Sequence, residues 1–270
     1  MPTSNNTSRT VKAVDTSFEI LEEVLHRDGA GVTELADALS LSKGTVHHHL
    51  ASLEKQYFVS NREGQYTLGL GALVYGGHAQ SKDAVFTAGK QDVDKLARIT
   101  NETARLIVEH AGYGLTLYQS VGQKVDNPRT HIGTMEQLHS TAAGKAFLAA
   151  LPVPDVNDIV DERGLEGFTS NTIQDRDELI AELEQIRSDG IAFDDCEQFD
   201  DIRCIATTFT TEDSGLLGAI SISAPAERMG ETRFRQELPR RMKNLCEVIE
   251  QVDHYQFQSR VPCISRTRPL

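Results

Sequence analysis

The chain reads as two domains of different class: an N-terminal all-α segment closed by a short β-hairpin, then a larger α+β segment built on an antiparallel sheet. Three observations predict this. Residues 32–53, VTELADALSLSKGTVHHHLASL, place apolar side chains at helical spacing on both sides of a tight polar turn. A hairpin pattern follows directly over residues 57–68. Beyond residue 100, strand-like segments come in neighbouring pairs joined by short turns, with helical segments between the pairs.

The first ten residues, MPTSNNTSRT, are polar and aperiodic and read as a disordered tail. Val14, Phe18, Leu21 and Leu25 recur at spacings of four, three and four, which predicts a helix over 14–26 with these four on its core face. Val32, Leu35, Ala36 and Leu39 mark a second helix, and Val46, Leu50 and Leu53 a third. Ser42 stands at the N-cap of that third helix, where its hydroxyl can satisfy an orphan backbone N–H. Ser40-Leu41-Ser42 forms the turn between the two helices. Tyr57–Ser60 and Gln65–Leu68 are β-prone and flank Asn61-Arg62-Glu63-Gly64, a turn signal.

Three helices and a hairpin within residues 11–69 describe a winged helix-turn-helix, in which the second helix of the pair enters the DNA major groove. On that helix Lys43, Thr45, His47 and His48 point away from the apolar stripe, and their side chains suit phosphates and base edges. Ser42 at the helix start and Arg62 on the wing complete the expected DNA-contacting set. The plainer reading, a small helical bundle that binds nothing, needs helix, turn, polar face and wing to coincide by accident.

Residues 70–89 read as a linker helix interrupted near Gly76-Gly77, and a further helix runs from about Asp83 to Asn101. The second domain is expected over 90–258. Its strands are Thr103–Glu109 and Leu115–Ser120, around Ala111-Gly112-Tyr113-Gly114, and Ile202–Thr210 and Leu216–Ser223, around Glu212-Asp213-Ser214-Gly215. Thr141–Leu151 is a small-residue helix, and Ile173–Ser188 is amphipathic and stops at Gly190. A last helix is expected from about Glu231 to Phe257, kinked at Pro239, with residues 259–270 as a tail.

A chain of 270 residues accommodates two such domains. The net charge of −13 is unusual for a DNA binder. Its distribution resolves the conflict: residues 1–88 carry 7 Lys/Arg against 10 Asp/Glu, whereas 89–270 carry 20 against 30. Only 9 of the 27 basic residues are lysine, and few lysines with many carboxylates suggest a protein made for concentrated salt, as in a halophile. In strong salt counterion release loses its driving force, so base and shape contacts must carry more of the binding. No run of eighteen apolar residues and no signal-peptide pattern is present, so a cytoplasmic protein without membrane contact is expected. Cys196, Cys204, Cys246 and Cys263 show no CxxC spacing and are expected to be reduced, with no metal or other cofactor.

Four features of the second domain could meet in a ligand site. His139-Ser140-Thr141-Ala142-Ala143-Gly144-Lys145 runs polar residues into a helix start, whose N–H groups and dipole favour an anion such as a carboxylate. Asp194 ends a β-prone segment, and Cys204 lies inside a strand. Ser221 and Ser223, two apart, share a strand face. Cys204 joins that face if the hairpin pairs in matching register. Each has a plainer reading: a cap, a solvated aspartate, a small buried hydrophobe, a tight-spot filler.

These segments resemble the IclR family of transcriptional regulators. LADALSLSKGTVHHHLASLEKQYFVSNREGQYTLGLGAL is similar to its winged helix, with Gly44-Thr45-Val46 at the helix start and Tyr66-Thr67-Leu68-Gly69 ending the wing. LHSTAAGKAFLA, GIAFDDCEQFDDIRCIAT and LLGAISISAP are similar to segments lining the pocket of its GAF-like effector-binding domain. The resemblance runs from about residue 12 to 255. It implies an effector site of the backbone at Ala142 and Ala143 with the side chains of Asp194, Cys204, Ser221 and Ser223. Three departures stand out: His48 replaces an arginine, which would offer guanine a bidentate fork; Cys196 replaces a glutamate; and Phe199-Asp200-Asp201 replaces a smaller turn.

An enzyme is a weaker reading. His139–Ala146 lacks the first glycine and the Ser/Thr of a phosphate-binding loop, and no GxSxG or HExxH occurs. His47-His48-His49 cannot converge on one ion, because consecutive helical residues point about 100° apart. Cys204 as a nucleophile would need a histidine, for which only His139 is a candidate. No catalytic residue is therefore expected. The expected protein is a regulator that binds double-stranded DNA at a palindromic operator as a homodimer or tetramer, under control of a small organic or sugar acid. An effector-independent architectural DNA binder and a metal- or redox-responsive regulator using Cys196 and Cys204 are the alternatives.

Overall fold

A computed structural model describes residues 10–211 and 217–243. Residues 1–9, residues 212–216, the part of the expected last helix beyond residue 243, the expected tail 259–270, Cys246 and Cys263 lie outside the described residues. The chain divides into two compact units between Ser81 and Lys82.

In the first unit, α1 (Lys12–His26), α2 (Val32–Ala38) and α3 (Lys43–Lys55) pack around Ile20, Val24, Leu35, Ala36, Val46 and Leu50. Strands β2 (Val59–Arg62) and β3 (Gln65–Leu68) form the wing, and the two-residue strand β1 (Ala30–Gly31) adds to the free edge of β3. The wing turns through Glu63 and Gly64, both at positive φ (54° and 86°), the twist a two-residue hairpin favours. Gly69 closes the wing against the helix end: its N–H donates to the Phe58 carbonyl at 2.7 Å, and a Cβ there would lie 2.2 Å from the Tyr57 carbonyl oxygen.

Two expectations fail in this unit. The core face of α1 is Thr16, Ile20 and Val24, whereas Val14, Phe18 and Leu25 are more than half exposed. The helix carries two apolar stripes and its partners bury only one. The glycine pair does not interrupt α4 (Ala72–Lys82), which runs through Gly76 and Gly77. Each glycine costs a helix about 1 kcal/mol, which lowers its stability without forbidding it.

The second unit is a six-stranded antiparallel sheet of order β6-β5-β4-β9-β8-β7 between two layers of helices. Its strands are β4 (Thr103–His110), β5 (Tyr113–Val121), β6 (Met135–Gln137), β7 (Ala192–Asp195), β8 (Ile202–Thr210) and β9 (Leu217–Pro225). One face packs α5 (Ala84–Thr100) and the helical segment 231–243 through Leu96, Leu106, Ile205, Ile220, Ile222 and Phe234. The other packs α6 (Ala142–Ala150), α7 (Val153–Arg163) and α8 (Arg176–Asp189) through Ile107, Phe147, Leu148, Val156 and Leu183. Capping sets these helices: Asp83, Thr141 and Asp175 accept N–H bonds at the starts of α5, α6 and α8, and Asn101 and Gly190 end α5 and α8 in left-handed conformation. The last helix widens into a π-turn at Arg233–Glu237, immediately before Pro239, whose ring cannot fit a regular α-turn.

Candidate DNA interface and ligand cavity

Helix α3 presents the expected polar face. Ser42 spends its side chain on the cap, accepting the Thr45 N–H at 3.0 Å and lying 2.8 Å from the Thr45 hydroxyl. Lys43, His47 and His48 are exposed, Thr45 is half-buried, and Arg62 is exposed on the wing. His49 turns the other way: its Nδ1 lies 2.8 Å from the Ser17 hydroxyl on α1. The histidine run therefore divides between a free face and the helix packing. Among the described residues no group of His, Cys, Asp or Glu has the geometry of a metal site.

The second unit holds a cavity of about 320 Å³. Its floor is the sheet face shared with α6; its walls are the β5–β6 connection, residues 124–130, and the segment after β7 from Gln198 to Ile202. Register fixes the floor. Asp194 pairs with Cys204, Cys204 with Ser223, and Ser223 with Thr103, so these four stand in one row across β7, β8, β9 and β4. All four line the cavity. Ser221, one residue pair along, faces Ala206 and Arg105, is fully buried and has no hydrogen-bond partner for its hydroxyl among the described residues. Ser221, Ala142 and Ala143 are buried outside the cavity lining. Gly144 lets α6 start close against the connection that follows β6: a Cβ there would lie 2.2 Å from the Leu138 carbonyl oxygen.

The dominant charged group on the floor is Arg105, which the pattern reading passed over. It is only 4 % exposed and donates from Nη1 to Glu136 at 2.5 Å, while Nη2 lies 3.5 Å from the Ser223 hydroxyl and 4.0 Å from the Cys204 sulfur. Burial, the largest single effect, disfavours its charge, but the Glu136 carboxylate and the Cys204 sulfur together more than offset this and raise its pKa. The available signal was an arginine inside the otherwise apolar strand TARLIV. Alternation puts it on the face of Thr103 and Ile107.

Asp194 is not solvated beside Asp195 but buried. Burial pushes its carboxyl up to about 7, against the opposing pull of Lys145 and of the Glu197 and Gln198 N–H groups that donate to it. Those bonds shape the turn after β7, where Cys196 takes positive φ (62°). Lys145 on α6, almost fully buried, anchors the same turn by donating to Glu197 at 2.6 Å and to Glu182 at 3.3 Å. Burial raises the Cys204 and Cys196 thiols. His139 engages the Glu166 carbonyl through Nε2 at 2.9 Å. Across the cavity mouth Arg129 pairs with Asp201 at 2.6 Å.

A winged helix with an exposed polar recognition face, joined in one chain to an α+β domain that holds a cavity, defines a two-domain class of DNA-binding protein. The chain belongs to the IclR family: residues 78–251 match the model of the bacterial transcriptional regulator IclR C-terminal domain, and residues 13–63 match the IclR helix-turn-helix domain. It is thus a DNA-binding transcriptional regulator of the IclR type, a family of regulators and not of enzymes. The chain is 29% identical over 251 residues to the probable HTH-type transcriptional regulator ArcR of Halobacterium salinarum, covering 92% of this chain and 95% of that protein. It is 29% identical over 227 residues to the HTH-type transcriptional regulator BhcR of Paracoccus denitrificans, covering 83% and 81%. The crystal structure of Thermotoga maritima IclR superposes with a TM-score of 0.73 at 24% identity, over 90% of this chain and 99% of that one. An Alicyclobacillus acidocaldarius regulator gives 0.76 at 20%, over 91% and 98%. Among the described residues no helix is long and apolar enough to cross a membrane.

Proposed function

We propose that this regulator is a cytoplasmic sensor of a small organic or sugar acid, which binds in the cavity of the second unit and alters how paired winged helices engage a palindromic operator. The observation that carries this reading is the row Asp194–Cys204–Ser223, brought by sheet register to the floor of one cavity with Arg105 beside it. Lys43, Thr45, His47, His48 and Arg62 form the DNA-contacting set, with Ser42 positioning the helix they stand on. A protein that needed no effector would gain nothing from a cavity lined by this many polar groups, which favours the sensor over an architectural role. Redox sensing through Cys196 and Cys204 is disfavoured, because burial raises both thiols and a reactive cysteine needs a lowered pKa.

The test begins with genome-wide mapping of bound sites to obtain the operator. Fluorescence anisotropy on that operator then measures binding with and without candidate acids suggested by neighbouring genes. A shift in operator affinity that Asp194→Ala and Ser223→Ala remove, while DNA binding in the absence of acid stays intact, supports the reading. A response unchanged in both variants refutes it. Regulation requires only that the acid discriminate between two arrangements of the molecule.

A further inference from the structure

Arg105 is a buried cation with unused donors. Its guanidinium has five N–H groups in a rigid fork. The Nη1 side is engaged by Glu136 at 2.5 Å. The opposite edge, made of Nε and Nη2, is not satisfied: Nη2 reaches only the Cys204 sulfur at 4.0 Å and the Ser223 hydroxyl at 3.5 Å, beyond the usual N–H···O range of roughly 2.7–3.2 Å. Nε has no partner among the described residues. Leaving such donors buried is costly; Nε is covered even against water, so Nη2 is the donor left for an acceptor supplied from the cavity that Arg105 lines. A carboxylate oxygen on Nη2 makes a charge-assisted hydrogen bond, which the neighbouring Ser223 hydroxyl can share.

We propose that Arg105 is the anion receptor of this cavity, and that Glu136 on its other edge limits the ligand to a single carboxylate. The inference rests on reading the cavity as the effector site, and it places the acid group on β4 instead of at the start of α6. Glu136 neutralises the guanidinium before any ligand arrives. One carboxylate leaves the local sum at minus one; a second, next to Asp194, would add repulsion, and of the other cations lining the cavity, Lys124, Arg129 and Arg228, the two arginines are already paired with Asp201 and Glu102. Ser223 stands beside the receptor edge to hydrogen-bond the same carboxylate. Asp194, partly protonated near neutral pH, can donate to or accept from a hydroxyl or carbonyl at the ligand's other end.

Isothermal titration of the full chain with lactate, glycerate and gluconate, against malate, tartrate and the uncharged lactamide, tests this. At least one monocarboxylate is expected to bind, lactamide not at all, and the dicarboxylates about tenfold or more weaker. Removing Arg105 alone strands Glu136, so the main variant is the neutral pair Arg105→Gln/Glu136→Gln, with its fold checked by circular dichroism; a loss of about ten- to a hundredfold is expected. Glu136→Gln alone is expected to tighten the monocarboxylate and admit the dicarboxylates. Binding by none of the three acids, a preference for dicarboxylates, or full affinity in the neutral pair overturns the inference. The two readings separate cleanly. If acids bind through Arg105 but leave operator binding unchanged, the receptor stands and the regulatory reading falls. If an acid response survives the neutral pair yet is lost in Asp194→Ala, the regulatory reading stands and the receptor falls.

Discussion

Asp194 carries a carboxyl group into a place that disfavours its charge. Its pKa rises from 3.8 to about 7, chiefly through burial. The folded state therefore holds a proton that the unfolded chain releases, so this group's contribution to stability is fully present below about pH 4 and is lost as pH rises through about 7. Asp194→Asn keeps an acceptor for the Glu197 and Gln198 N–H groups but cannot ionise. Its stability relative to wild type should rise between pH 5 and pH 8, by a few kcal/mol at most, since one pKa unit is worth about 1.4 kcal/mol. Urea midpoints at the two pH values measure this, and an unchanged difference would refute it. On the DNA face, Lys43→Ala should weaken binding to all sequences alike and flatten its salt dependence. His47→Ala should also alter base preference. Competition binding with scrambled operators separates the two, and equal, unaltered binding by both variants would remove these residues from the interface.

Elements with clear end signals were readable from the sequence. Ser42, Asp83, Asn101 and Gly190 mark the ends of α3, α5 and α8 because capping chemistry is local and needs no tertiary partner. Helix α7 was missed: Pro152, Pro154 and a run of charges mask the two positions it buries, Val156 and Val160. The short edge strands β1 and β6 were missed as well, since two or three residues carry no periodicity. Helix α6 owes its place to Gly144. Gly144→Ala should be severely destabilising, by about 3 kcal/mol or more. Its Cβ would meet the Leu138 backbone, which cannot yield as a side chain does, so the cost sits at or above the ~1–3 kcal/mol usual for overpacking. Thermal unfolding measures it, and a near-wild-type Tm would show that the helix shifts freely.

At the scale of the molecule, the first unit leaves apolar surface that it does not bury. Phe18 on α1 is 57 % exposed, and Leu70, Leu73, Val74 and Tyr75 on and beside α4 are 65–79 % exposed. A single winged helix contacts few base pairs, and a palindromic site needs two held in register. This surface is suited to a second copy of the chain. Light scattering in molar salt should show a dimer or larger species. Leu73→Glu/Val74→Glu should shift it towards monomer and weaken operator binding together. A monomeric wild type that still binds the operator tightly would contradict the assignment.

Periodicity, caps and turn residues are properties of neighbours along the chain. They were enough to specify the winged helix, the pairing of strands and the polar face of α3. They also brought Asp194, Cys204 and Ser223 into consideration through their resemblance to a known family. What they left open is set by contacts far apart in sequence. Which stripe of α1 is buried depends on what α3 and β3 present to it. Whether Ser221 reaches the cavity depends on the register of β4 against β9 and on the cover that α6 provides. Arg105 gains its role only where β4 meets Glu136 from β6, 31 residues on, and Cys204 from β8, 99 residues on. A charge on a strand is ordinary in one dimension; burial and an unfilled donor edge exist only in three.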